Sequence, residues 1–103
     1  MKKQRLTYKN GKWIPEIDAS IHIYDSQFMY GDAVFEMART FNQKYFLLDE
    51  HIDRIFRSMN YLNIPITKTK KEIIAICEEA MSVNQWSFPE GEECRVMINV
   101  SRG

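Results

Sequence analysis

Residues 33–41, Ala-Val-Phe-Glu-Met-Ala-Arg-Thr-Phe, read as a strand, and their period of two sorts them onto two faces. Val34, Glu36, Ala38 and Thr40 share one face; Ala33, Phe35, Met37, Arg39 and Phe41 share the other. A face that mixes Phe35 and Met37 with Arg39 is either half solvated or the wall of a site. Asn42-Gln43-Lys44 is the expected turn, and Tyr45-Phe46-Leu47-Leu48 the returning strand. Earlier in the chain, Asn10-Gly11 between the β-prone residues of 6–14 predicts a hairpin with both central residues at positive φ. Pro15 ends its second strand or puts it at an edge. Residues 19–24, Ala-Ser-Ile-His-Ile-Tyr, alternate as a short strand, and 25–32 follow as a loop.

The period then changes from two to about three and a half. Ile52, Ile55, Phe56, Met59 and Leu62 mark a helix over about 50–62, with Asp49 as its N-cap and Ile64-Pro65 as its stop. Arg54, Ser58 and Tyr61 form a second stripe beside the apolar one. Thr69-Lys70-Lys71-Glu72 has the form of a capping box, opening a helix over about 70–84 that buries Ile73, Ile76, Cys77, Ala80 and Met81. Residues 86–92 read as a loop and 94–100 as a last strand. Strands, two helices and a strand predict an α+β fold, a mostly antiparallel sheet with two helices packed on one face.

Composition narrows the function. A chain of 103 residues makes one domain at most. Fourteen basic residues balance fourteen acidic ones, which argues against a nucleic-acid grip built on basic excess. The opening run, Met1 to Thr7, is charged with no apolar stretch behind it, and no apolar run approaches a membrane span, so the expectation is a cytoplasmic protein. Cys77 and Cys94 form no metal or redox spacing and read as reduced thiols.

No nucleophile elbow, phosphate-cradling glycine run or zinc-helix histidine pair is present in the sequence. His22 reads as a strand residue with a satisfied ring. Glu36 is a base if buried; more commonly such a residue pairs with an arginine. Arg39, Arg54, Arg95 and Arg102 lie in or beside regular elements, whereas the lysines gather at the start, in turns and in the helix-capping run. Arginines so placed either make structural ion pairs or hold a phosphate or carboxylate.

Two longer stretches go further. Tyr30-Gly31-Asp32-Ala33-Val34-Phe35-Glu36-Met37-Ala38-Arg39, then Phe46-Leu47-Leu48-Asp49-Glu50-His51-Ile52-Asp53-Arg54-Ile55-Phe56-Arg57-Ser58, resemble the class IV pyridoxal-phosphate aminotransferases. That family includes branched-chain aminotransferases, D-amino-acid transaminases and aminodeoxychorismate lyases. The Asn10-Gly11-Lys12-Trp13 hairpin and the closing Ser101-Arg102-Gly103 are similar too, so the resemblance runs over essentially the whole chain.

The resemblance implies the small N-terminal domain, residues 1–103, of a transaminase that moves an amino group between an amino acid and a 2-oxo acid. Its cofactor would be pyridoxal 5'-phosphate, with Arg54 on the phosphate. Tyr30, Phe35, Met37, Arg39 and Arg95 would line the substrate pocket. No catalytic residue falls in this chain, because the family's Schiff-base lysine belongs to a large domain beyond Gly103. That domain, and a second copy in a homodimer, would be the partners; Phe28, Met29 and Tyr30 are the expected exposed patch. Nucleic acid, membrane and metal have no part in this reading.

Met37 stands where branched-chain members usually have glycine, and Glu93 where they have tyrosine, so a D-amino-acid or lyase type stays open beside the branched-chain one. A stand-alone module that binds a phosphorylated ligand is the alternative from another class. A structural piece with no ligand is a third.

Overall fold

The first hairpin forms where the Asn-Gly pair requires it. In the computed structural model, which describes residues 3–103, strand β1 (Leu6–Lys9) pairs antiparallel with β2 (Lys12–Pro15). Asn10 and Gly11 take φ of 50° and 84°, and Tyr8 and Trp13 meet edge to face across the pair at 5.2 Å. Met1 and Lys2, which open the charged run, lie outside the described residues. A short helix α1 (Ser26–Tyr30) precedes β3 (Ala33–Phe41), which turns through Asn42 and Gln43 into β4 (Lys44–Tyr45). Helices α2 (Leu48–Leu62) and α3 (Lys70–Asn84) follow, and β5 (Arg95–Ser101) closes the second sheet in the order β4-β3-β5, antiparallel throughout. The architecture is α+β.

The two-residue alternation of β3 decides which side is covered. Val34, Glu36, Ala38 and Thr40 are buried; Phe35, Met37, Arg39 and Phe41 are exposed. The buried face takes the helices. Ala38 packs with Leu48 and Ile52 of α2 and Ile73 and Cys77 of α3, while Val34 packs with Ile55, Met59 and Ile64. Ile52 and Ile55 are wholly removed from solvent, each worth about 1.5–3 kcal/mol of burial. Asn84 at the end of α3 ties the hairpin to this unit, accepting from the Leu6 N–H at 2.7 Å and donating to the Leu6 carbonyl at 2.9 Å.

Several elements differ from expectation. Residues 19–24 form no strand: His22 and its neighbours have no ladder partner, and Ile21 and Ile23 are exposed. Instead the His22 carbonyl accepts from the Asp25 N–H, and its ring Nδ1 accepts from the Tyr24 N–H at 3.1 Å. The 25–32 loop contains α1, capped by the Asp25 side chain and closed by Gly31 at φ 66°. Helix α2 begins before Asp49, and its N-cap is Leu47 in the left-handed region, leaving Asp49 in the first turn. The strand returning from the turn is two residues long, not four. On α3 the capping box of Thr69 and Glu72 is present, but Ile76, Ala80 and Met81 are only half-buried.

Candidate functional site

Glu36 is the one ionisable side chain that the β3 alternation carries into the helix-covered face. A carboxylate there needs partners, and α2 supplies two, one turn apart. Arg54 donates from Nε to Glu36 Oε2 at 2.6 Å and from Nη2 to Oε1 at 2.8 Å, and His51 Nδ1 meets Oε1 at 2.8 Å. The Arg54 hydrogen bonds hold the Glu36 carboxyl below its ordinary range against the opposing effect of burial, with a smaller downward contribution from His51. Glu36 in turn raises the Arg54 guanidinium.

Arg54 is not consumed by this pair. Glu36 is 6% exposed but the Arg54 side chain is 60% exposed. Arg54 lines an open groove of about 530 Å³ with Val34, Arg57, Ser58, Tyr61 and Leu62. The stripe of Arg54, Ser58 and Tyr61 thus becomes one wall of that groove. Arginine donors beside a hydroxyl make a set suited to a phosphate monoester.

The other predicted residues collect elsewhere. Phe35, Met37 and Arg39 face outward from β3, opposite Asn99, Met97 and Arg95 of β5 in register. Two guanidiniums therefore stand on directly paired strand positions, and Arg39 also lies 4.4 Å from the centre of the Phe41 ring. Like charges so placed repel unless an anion joins them. Tyr30 ends α1, highly exposed with Phe28 and Met29 beside it. The structure thus brings Phe35, Met37, Arg39 and Arg95 to one sheet face and sets Arg54 on the opposite side of the sheet, with Glu36. Arg102 is committed to the fold: it pairs with Asp32 and donates to the Leu62 and Asn63 carbonyls at the end of α2. Sequence reasoning missed the His51–Glu36 contact and the place of Arg57 in the groove. The signal was there in part: an acid at an inward strand position faces a helix whose His51 and Arg54 lie three residues apart. Among the described residues, no cluster of His, Cys, Asp or Glu could hold a metal ion.

The model of the family described as amino-transferase class IV matches residues 33–103. The chain belongs to the class IV aminotransferases. A Methanocaldococcus jannaschii protein provisionally named a branched-chain-amino-acid aminotransferase is 43% identical over 77 residues, 75% of this chain and 27% of that protein. The aminodeoxychorismate lyase of Bacillus subtilis is 36% identical over 98 residues, 95% of this chain and 32% of the relative. This class IV chain thus spans about a third or less of the length of the curated relatives it matches. A solved T.th. branched-chain amino acid aminotransferase, determined with pyridoxamine 5'-phosphate, has the same fold at a TM-score of 0.83 and 22% identity. It covers all of this class IV chain, which corresponds to 33% of that structure.

Proposed function

We propose that residues 1–103 are the small domain of a pyridoxal-phosphate-dependent transaminase that works on an amino acid and a 2-oxo acid. The carrying observation is Arg54: its guanidinium is held by Glu36 through Nε and Nη2, while the side chain stays largely exposed and lines the groove. Such a donor set fits the cofactor's phosphate, with Arg54 the principal anchor and Ser58 within the same groove. When bound, pyridoxal phosphate supplies the electron-withdrawing ring that amino-group transfer requires. The chain's own residues bind and orient. Arg54 would hold the phosphate end beside the β3 edge that β4, pairing only with Thr40 and Phe41, leaves open, and the outward sheet face reached across that edge would supply one wall of the substrate pocket. On that wall Phe35 and Met37 give apolar surface, and Arg39 and Arg95 give cations for a substrate carboxylate; Tyr30 adds an aromatic edge from α1.

The lysine that attaches the cofactor would come from the large domain, so residues 1–103 alone would not turn over substrate. That domain and a second subunit would cover Phe28, Met29 and Tyr30, in a homodimer working in the cytoplasm. No helix among the described residues is long and apolar enough to cross a membrane.

The branched-chain reading has the M. jannaschii relative behind it. The lyase reading has the B. subtilis relative, at lower identity. Assay of the whole protein with branched-chain L-amino acids, D-alanine and aminodeoxychorismate separates these. Activity confined to the last two would replace the branched-chain reading.

In the same protein, Arg54→Ala is expected to weaken pyridoxal phosphate by about 1.5–3 kcal/mol, or ten-fold and more, the scale of a charged hydrogen bond. Unchanged cofactor affinity removes Arg54 from the phosphate.

A further inference from the structure

A guanidinium carries five N–H donors in a rigid plane, and which edge faces a ligand depends on what occupies the other edge. In Arg54 the Nε–Nη2 edge is filled by both oxygens of Glu36. The donors left are those of Nη1 and the second hydrogen of Nη2, which form the outer end of the side chain. Glu36 is itself fixed: it leaves the central strand, is 6% exposed, and His51 holds Oε1 from the preceding turn of α2.

We infer that Glu36 is a positioning residue for phosphate recognition. By occupying the inner edge of Arg54, it presents the outer Nη1–Nη2 edge to a phosphate monoester in the groove, with His51 steadying Glu36. A free arginine samples many rotamers, and the ligand must bear the cost of ordering it. Glu36 orders Arg54 before the ligand arrives. Glu36 also cancels one positive charge, so the gain is in geometry; Arg57, on the same groove, keeps the local charge positive.

The inference rests on Arg54 meeting the phosphate, and its test separates the two ideas. The whole protein is titrated with pyridoxal phosphate and with pyridoxal, and the ratio of the two affinities measures phosphate recognition apart from fold and ring contacts. Arg54→Ala should collapse the ratio; a ratio unchanged by Arg54→Ala overturns the phosphate reading and this inference together. Glu36→Gln, which keeps the size but loses one acceptor and the charge, should lower the ratio roughly ten-fold in the native background. In the Arg54→Ala background it should change nothing. An equal loss in both backgrounds, or an equal loss for both ligands, makes Glu36 merely structural and overturns the inference.

A second pair of variants leaves the carboxylate in place, so the inference stays open to refutation even where Glu36→Gln does not fold. His51→Phe removes the donor to Glu36 and should lower the ratio. His51→Gln restores an N–H and should recover it. A ratio unmoved by His51→Phe overturns the part assigned to His51.

Discussion

At Glu36 a titrating group and the fold meet in one side chain, whose partner Arg54 lines the groove. Its partners hold the folded carboxyl below its ordinary value of 4.5, so on acidification the unfolded chain takes up the proton first. The stabilisation from Glu36 is therefore complete above about pH 4.5 and is lost as pH falls through the lower folded value. Thermal unfolding of the native chain and of Glu36→Gln should show a gap in Tm at neutral pH that closes below pH 4.5. A gap of the same size at all pH values would mean the substitution acts through packing, not charge. Met37 is a residue-scale question of a different kind. It faces outward, paired with Met97. Met37→Gly removes a bulky side chain from the proposed pocket wall, and the rates of the whole enzyme on branched relative to small amino acids should rise. Equal relative rates would take Met37 off that wall. Cys77, buried between α2 and α3, needs no such role: burial pushes its thiol up to about 11, and it behaves as a small core residue.

At the scale of elements, what the sequence made legible is what local chemistry determines. The β3 alternation, the Asn-Gly hairpin and the Thr69–Glu72 capping box each need only their own residues, and each is present. Residues 19–24 show the limit. Alternation tells which face each side chain would take, but a strand also needs a partner for its backbone groups, and none flanks Ile21 and Ile23. Helix α1 was illegible for the converse reason. Five residues cannot sustain a helix alone, and contacts distant in sequence hold this one: the Ser26 N–H donates to the Gly103 carbonyl, and Ser101 Oγ donates to Asp25. The end of α2 is held in a similar way. Asn63 turns the chain at φ 56°, and Arg102 satisfies the carbonyls of Leu62 and Asn63. Arg102→Ala should destabilise the fold by about 0.5–1.5 kcal/mol in denaturant unfolding, the worth of an ordinary hydrogen bond at a half-exposed site. Arg102→Lys keeps the charge without the fork and should fall between. No change in either variant would leave Asn63 alone as the cap.

At the scale of the whole molecule, two surfaces stand on opposite sides of one sheet. The resemblance placed their residues in family motifs, but a linear motif does not say that Phe35 and Glu36, adjacent in sequence, serve different faces. That follows from the pleat, and only burial shows which face the helices take. The outward face keeps Phe35, Met37, Phe41 and Met97 in solvent, and Phe28, Met29 and Tyr30 of α1 are exposed as well. Exposed apolar side chains of this number mark interaction surfaces or ligand grooves, and the proposed large domain and second subunit would cover them. Residues 1–103 produced alone should therefore self-associate or bind a hydrophobic dye in sedimentation and fluorescence measurements. Phe28→Ser and Met97→Ser, both at exposed positions, should reduce this without lowering stability. In the whole protein the same side chains should be shielded from covalent surface labelling. A monomeric, dye-silent chain, or equal labelling in the long and short forms, would show that no second domain or subunit covers this face.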